Sequence, residues 1–283
     1  MSAPVPPAVV LGLGVVCLSW AAILIRLTAA PAVTVAAWRM ALAAAVLLPL
    51  WAGRRPRVSG RGLRVGLVAG ACLGLHFVLW MESLRLTTVA SSVALVTTNP
   101  IFVGLLSALV LGERPSRALW QGIALSVAGG FLIGWGDFAL EGAALLGDAL
   151  ALLGAMAASV YLLLGRRARG EGSLLPYVAV AYGAAAAFLL LGAVATAQPV
   201  PRRVDWLWIG LMALGPQLLG HTSVNWALRR FPASAVAVAI LGEPVGATLW
   251  AWLLLGEVPG GMQGVGIAFV LLGILRALRG VRL

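Results

Sequence analysis

The chain of 283 residues contains no lysine; all twenty of its basic residues are arginine. A Schiff base to a bound chromophore, or any lysine nucleophile, is excluded on that ground alone. Charge of either sign is scarce. Only 10% of residues are charged, against roughly 25% in a soluble domain, which is too few to cover a water-facing surface of this size. Cys17 and Cys72 are the two cysteines; both lie inside apolar runs and outside any metal-ligand spacing, so free buried thiols are expected, with no metal site. With two histidines and nine acidic residues, and with no HExxH, GxSxG, CxxC or phosphate loop, the sequence offers no catalytic set and calls for no cofactor.

What is present is apolar. Hydrophobic residues make up 61% of the chain, the composition of a protein whose outside is as oily as its core. A helix crossing the hydrocarbon needs about 20 apolar residues. Runs broken by Arg, Pro and Gly clusters predict ten such helices, at 7–26, 31–51, 64–84, 89–111, 117–136, 142–164, 174–197, 206–227, 233–255 and 262–280. The expected fold is all-α and polytopic, a monomer in the lipid bilayer. The opening MSAPVPP lacks a positive n-region, so no cleaved signal peptide is expected.

In a soluble protein a net charge of +11 would point to nucleic acid; here the arginines sit in short loops and orient the chain, and no nucleic-acid partner is expected. Ten crossings place both termini on one side. With the termini cytoplasmic, fifteen arginines fall inside and four outside (Arg26, Arg85, Arg202 and Arg203), with Arg39 within a span. The first helix alone argues the other way, since its only flanking charge is Arg26; the sum favours cytoplasmic termini. The acidic loop around Asp137 and Glu141 then lies outside.

Shifting the sequence by 144 residues superposes Leu84-Arg85 on Leu228-Arg229, Pro100 on Pro244, Leu111-Gly112-Glu113 on Leu255-Gly256-Glu257, Pro115 on Pro259, Gly122 on Gly266 and Gly129 on Gly273. Coincident Pro and Gly-Glu landmarks at one offset mark a duplication, with halves 1–136 and 142–283. Five spans per half is an odd number, so the second copy enters the membrane inverted, an arrangement that recurs in secondary transporters. Small residues at four-residue spacing (Gly66, Gly70 and Gly74; Gly122, Ser126, Gly130 and Gly134; Gly147, Ala151, Ala155 and Ser159) predict close helix packing.

Polar residues at membrane depth are costly and mark candidate sites. Glu243 precedes Pro244 in the ninth span; it is read as an amine-binding or proton-sensitive carboxyl, or as a partner for backbone groups freed by the proline. Asn99-Pro100 occupies the matching place in the first half, and Pro100 and Pro244 are candidate bends. His76 and Trp80 share one face of the third helix and are candidates for stacking and cation–π contact with substrate; His221 is a weaker candidate. Trp20 and Tyr161 complete the candidate substrate-binding set, with Trp38, Trp250 and Trp252 as further candidates for an aromatic lining. Arg39 is read as snorkelling outward or pairing with Glu82 or Asp148, and alternatively as an attractor of a carboxylate. Glu113 and Glu257 are assigned a structural task, pairing with loop arginines or capping.

The stretches SSVALVTTNPIFVGLLSALVLGERPS (91–116), ASAVAVAILGEPVGATLWAWLLLGEVPG (233–260) and GDALALLGAMAASVYLLLGRR (147–167), with the pair Trp38-Arg39, resemble the EamA-type drug/metabolite transporter superfamily across nearly the whole chain. The resemblance implies ten helices in two inverted EamA repeats, cytoplasmic termini in the cell inner membrane, and export of small organic molecules. The Trp-rich content and the helical histidine are similar to the aromatic-amino-acid exporters of the YddG type, which implies amino acids, aromatic and other neutral ones, as substrates. A multidrug or organic-cation exporter of the same fold is the alternative, ahead of a channel or an intramembrane lipid enzyme.

Overall fold

The computed structural model describes residues 6–54, 58–87, 92, 95–113, 115–133, 142–171, 173–256 and 258–279. Glu257 and the loop with Asp137 and Glu141 lie outside these residues, as does Gly134. Among the described residues the chain is helical throughout and has no strand. The helices are α1 (Pro7–Ser19), α2 (Ala21–Arg26), α3 (Ala32–Arg54), α4 (Gly60–Leu86), α5 (Asn99–Leu106), α6 (Arg117–Ile133), α7 (Ala143–Glu171), α8 (Leu174–Ala195), α9 (Asp205–Met212), α10 (Thr222–Ala227), α11 (Ala233–Ile240), α12 (Gly242–Leu255) and α13 (Gly261–Arg279). Two wider π-helical segments interrupt them: Ser107–Leu111 continues α5, and Ala213–His221 joins α9 to α10.

Among the described residues, seven stretches are long and apolar enough to cross a membrane: α1 with α2, α3, α4, α7, α8, α11 with α12, and α13; Asn99–Leu111 and Arg117–Ile133 are shorter apolar helices. Helix satisfies every backbone group within its own segment, which hydrocarbon demands. The outer surface is apolar to match, with Leu109 81%, Val194 79% and Leu191 72% exposed. Helix ends overrun the apolar runs: α4 starts at Gly60, where Ser59 Oγ accepts from the Gly62 N–H at 3.0 Å, and α7 continues to Glu171. Hydropathy marks where oil ends, whereas a helix persists for a turn or more into the headgroup layer.

The spans carrying the two X-Pro pairs are broken. The first turns at Thr97-Thr98 before α5 starts on Asn99-Pro100, and the second breaks at Leu241 before α12 starts on Gly242-Glu243-Pro244. Proline belongs in a first helical turn, where its missing N–H leaves nothing unsatisfied. Both spans also end alike. Gly112 and Gly256 have φ of +68° and +71°, the left-handed conformation that closes a helix at little cost only for glycine, which explains the repeated Leu-Gly-Glu.

The two halves meet about a local two-fold relation that the contacts display directly. α6 and α13, which correspond under the 144-residue offset, cross backbone to backbone: a methyl group on Gly122 would meet the Gly273 carbonyl oxygen at 2.6 Å, and one on Gly129 would meet that of Gly266 at 2.6 Å. Each contact is the other with the halves exchanged. Between them Ser126 Oγ donates to the carbonyl of Val270 at 3.4 Å, and Val270 is the counterpart of Ser126 itself. Numbers rise on one helix as they fall on the other, so the pair runs antiparallel, as inverted copies must.

The relation extends to α1 and α7 at an offset of 140. Gly154 packs against His76 and Trp80 of α4, while Gly14 packs against Gly220 and Ser223. The Gly66, Gly70 and Gly74 stripe lies against Val180, Ala184 and Phe188 of α8, and Ala151, Ala155 and Ser159 are fully buried. At the arginine-rich end of α7, Arg166 Nε donates to Glu113 at 2.7 Å and its Nη1 to the Leu228 carbonyl at 2.7 Å, so Glu113 pairs with a loop-side arginine. At the opposite end Asp205 accepts from the Ala29 N–H at 2.9 Å and the Arg202 N–H at 3.0 Å. The Ala29 bond first, then Arg202, holds its carboxyl below the usual carboxylate range.

Candidate functional site: a cavity between the halves

A cavity of about 140 Å³ lies between the two halves, walled by residues of α1 to α5 on one side and of α7 and α10 to α12 on the other. Drug-sized ligands occupy pockets of roughly 300–1,000 Å³, so this one suits a small metabolite. Its walls are mostly apolar, with a few polar groups set among them.

Of the residues singled out in the sequence, His76, Trp80, Asn99, Tyr161, Glu243, Pro244, His221 and Arg39 line this one cavity. Pro100, buried at the start of α5, is not among the lining residues. Trp20 also stands outside the lining: its indole stacks on Trp250 at 4.5 Å, while the neighbouring Ala21 and Ala22 form the wall. Trp38 packs edge-on against Trp206 at 4.8 Å, and Trp252 is 47% exposed.

Helix geometry explains the aromatic side of the wall. His76 and Trp80 are one turn apart on α4, with rings parallel to within 2° and centroids 6.0 Å apart. His76 Nδ1 donates to the Gly154 carbonyl at 2.9 Å; a carbonyl only accepts, so this bond fixes the proton on Nδ1. Trp80 Nε1 is buried and has no acceptor among the described residues.

Asn99 and Glu243 hold equivalent places with different surroundings. The Asn99 amide donates to the Ala155 carbonyl at 3.0 Å and to Ser159 Oγ at 2.7 Å, tying α5 to α7. Glu243 sits in the first turn of α12, where the helix dipole favours an anion. Among the described residues no group hydrogen-bonds or ion-pairs with its carboxylate, which borders the cavity.

Arg39 is where the sequence reading needs correction. It does not snorkel, being 1% exposed. Its Nε donates to Gln217 Oε1 at 3.0 Å and its guanidinium lies 4.6 Å over the Phe77 ring, while Glu82 pairs with Arg85 at 3.5 Å. Gln217 and Phe77 were not singled out in the sequence; Gln217 follows Pro216 inside the π-helical segment, a feature that frequently marks functional positions. Asn225, also not singled out, donates to the Tyr161 hydroxyl and, at 2.8 Å, to the His221 carbonyl.

Comparison with known proteins places this architecture. The model of the EamA-like transporter family matches residues 7–135 and again 145–279. The chain is 30% identical over 246 residues to the threonine/homoserine exporter RhtA of Salmonella typhimurium, covering 85% of this chain and 79% of that one. It is 24% identical over 242 residues to the Bacillus subtilis protein described as uncharacterized transporter YwfM, covering 82% and 78%. The match to a second Bacillus subtilis protein, uncharacterized transporter YdfC, is 27% identical over 196 residues and spans 62% of that relative's length. A crystal structure at 21% identity superposes with a TM-score of 0.82 over 96% of both chains, a likeness of fold. With its helical fold, its two matched repeats and its cavity between them, the chain belongs to the EamA-like transporter family.

Proposed function

We propose that the protein is a secondary transporter that exports amino acids, aromatic and other neutral ones, across the cell inner membrane by alternating access. In this reading the chain crosses the bilayer ten times with both termini cytoplasmic, acts as a monomer, and catalyses no reaction. The observation that carries it is the small cavity between inverted halves, walled by two spans that break at X-Pro pairs. Broken helices at a repeat interface are where secondary transporters bind substrate. The named activity of RhtA, threonine and homoserine export, supports amino acids as the class.

The test is flux from proteoliposomes loaded in turn with a panel of neutral and aromatic amino acids, with and without a pH gradient. Saturable efflux of at least one amino acid is expected. If none of them moves and organic cations do, the second reading holds, for which the unpaired Glu243 carboxylate beside the His76–Trp80 pair argues. Turnover far above about a thousand molecules per second, the upper end of ordinary enzyme rates, would identify a channel.

A further inference from the structure

The cavity contains one cation and one anion, contributed by different halves. Arg39 comes from α3 and Glu243 from α12, and among the described residues no ion pair joins them. Each is an expensive group to hold in an apolar wall. A buried charge is tolerated when it is paired and hydrogen-bonded, and an unpaired one costs several kcal/mol.

Arg39 is pre-organised as an acceptor of an anion. Gln217 and Phe77 fix its plane, and its hydrogen bond to Gln217 uses Nε, leaving the two terminal nitrogens to form the fork that grips a carboxylate. Trp80, in the cavity wall and one turn from Phe77 on α4, has a buried Nε1 donor with no acceptor among the described residues. Unsatisfied buried donors are rare in native proteins and ask for a partner. Glu243 presents the opposite need, a carboxylate with no donor.

We propose that the substrate is held as a zwitterion, its carboxylate on Arg39, which Gln217 positions from behind the wall, and its ammonium on Glu243, so that the molecule itself joins the two halves. This rests on the amino-acid reading above and adds to it the polarity of the bound substrate. The side chain then lies along the His76, Trp80 and Leu73 wall. An amine alone leaves Arg39 unpaired and an acid alone leaves Glu243 unpaired, so the site selects against both.

Threonine is the probe. Counterflow of labelled threonine into liposomes is competed by unlabelled threonine, by its methyl ester, which lacks the carboxylate charge, and by 2,3-dihydroxybutyrate, which lacks the ammonium. For the wild-type protein both analogues are expected to compete at least tenfold more weakly than threonine. In Glu243→Gln the penalty on the ammonium-lacking analogue disappears while that on the ester persists; in Arg39→Gln the pattern reverses. Penalties that do not change with either variant, or an ester that competes as well as threonine, overturn the proposal while leaving amino-acid export standing. Absence of amino-acid counterflow by the wild type overturns both. If either glutamine variant elutes as aggregate, Arg39→Lys and Glu243→Asp decide by the same readout: each keeps its charge and is expected to raise the KM for threonine while retaining both penalties, and loss of a penalty in either would count against the assignment.

Discussion

Asn99-Pro100 and Glu243-Pro244 occupy the same place in the two halves, at the start of a broken helix, and do different things. Asn99 is consumed by packing, its amide spent on Ser159 and the Ala155 carbonyl. Glu243 has no such partner among the described residues and borders the cavity. The same divergence separates His76 from its counterpart Gly220, and Trp80 from Val224. Duplication preserved the scaffold, with its prolines, left-handed glycines and crossing glycines, while the chemistry drifted toward a cavity that is unlike on its two sides. A symmetric cavity would suit a symmetric ligand; an asymmetric one can orient its cargo.

That contrast is open to attack. The largest effect is expected from erasing it: Glu243→Gln places an amide in both halves and should lower the initial rate of amino-acid efflux at least tenfold, with the melting temperature in detergent unchanged. A rate within twofold of wild type would make Glu243 as structural as Asn99. Conversely, Asn99→Ala removes the amide's two donated bonds between α5 and α7 and should destabilise by about 1–3 kcal/mol, read as a lower melting temperature. Next, Gly122→Ala and Gly266→Ala change two-fold counterparts, whose methyl groups would meet the Gly273 and Gly129 carbonyls at 2.6 and 2.7 Å, and should be similarly harmful, each costing about 1–3 kcal/mol through overpacking. Should one be silent, the two-fold contact is not shared equally.

Smaller still is Glu113→Gln. Its pair with Arg166 is about a quarter exposed on both sides, and pairs open to solvent contribute about 0.2–1 kcal/mol. The smallest effect concerns Asp205, whose first-half counterpart is Arg61. Because its folded carboxyl titrates below the unfolded value, its contribution is present above the ordinary Asp range near about 3.9 and is lost as pH falls through the folded value. Thermal melts between pH 6 and pH 3, set as approximate bounds around that range, should show Asp205→Asn losing less stability on acidification than wild type.

Much of this was legible in the sequence because proline, glycine and charge are rare enough in an apolar chain to act as landmarks. The 144-residue offset rests on them, and mid-span polar residues led to His76, Trp80, Asn99, Tyr161 and Glu243, all of which line the cavity. The 140-residue offset of the first span against α7 is faint in the sequence because Arg26/Arg166 is its one charged match, and the others, such as Gly14/Gly154, Ser19/Ser159 and Leu13/Leu153, are residues that match by chance in apolar chains. Facing was the harder problem. In a helix apolar all round, no hydrophobic stripe tells inside from outside, so Trp20 was read into a cavity it only adjoins. Arg39 was read outward because its distance from the span's end suggested a snorkel; the partners that hold it inside, Gln217 and Phe77, lie far off in sequence or look like ordinary filling.

The hydrogen bond from Ser126 to Val270 joins a residue to its own counterpart. Because Gly122 meets the counterpart of Gly129 and Gly129 the counterpart of Gly122 on either side of that bond, the two-fold axis crosses the helix pair, and the two copies face opposite ways. One repeat unit therefore carries, on its last helix, a surface matched to an upside-down twin. Joining two such units in one chain fixes the stoichiometry, but it leaves the second copy to be inserted against the orientation of the first. The positive-inside rule is the physical bias available to set that reversal.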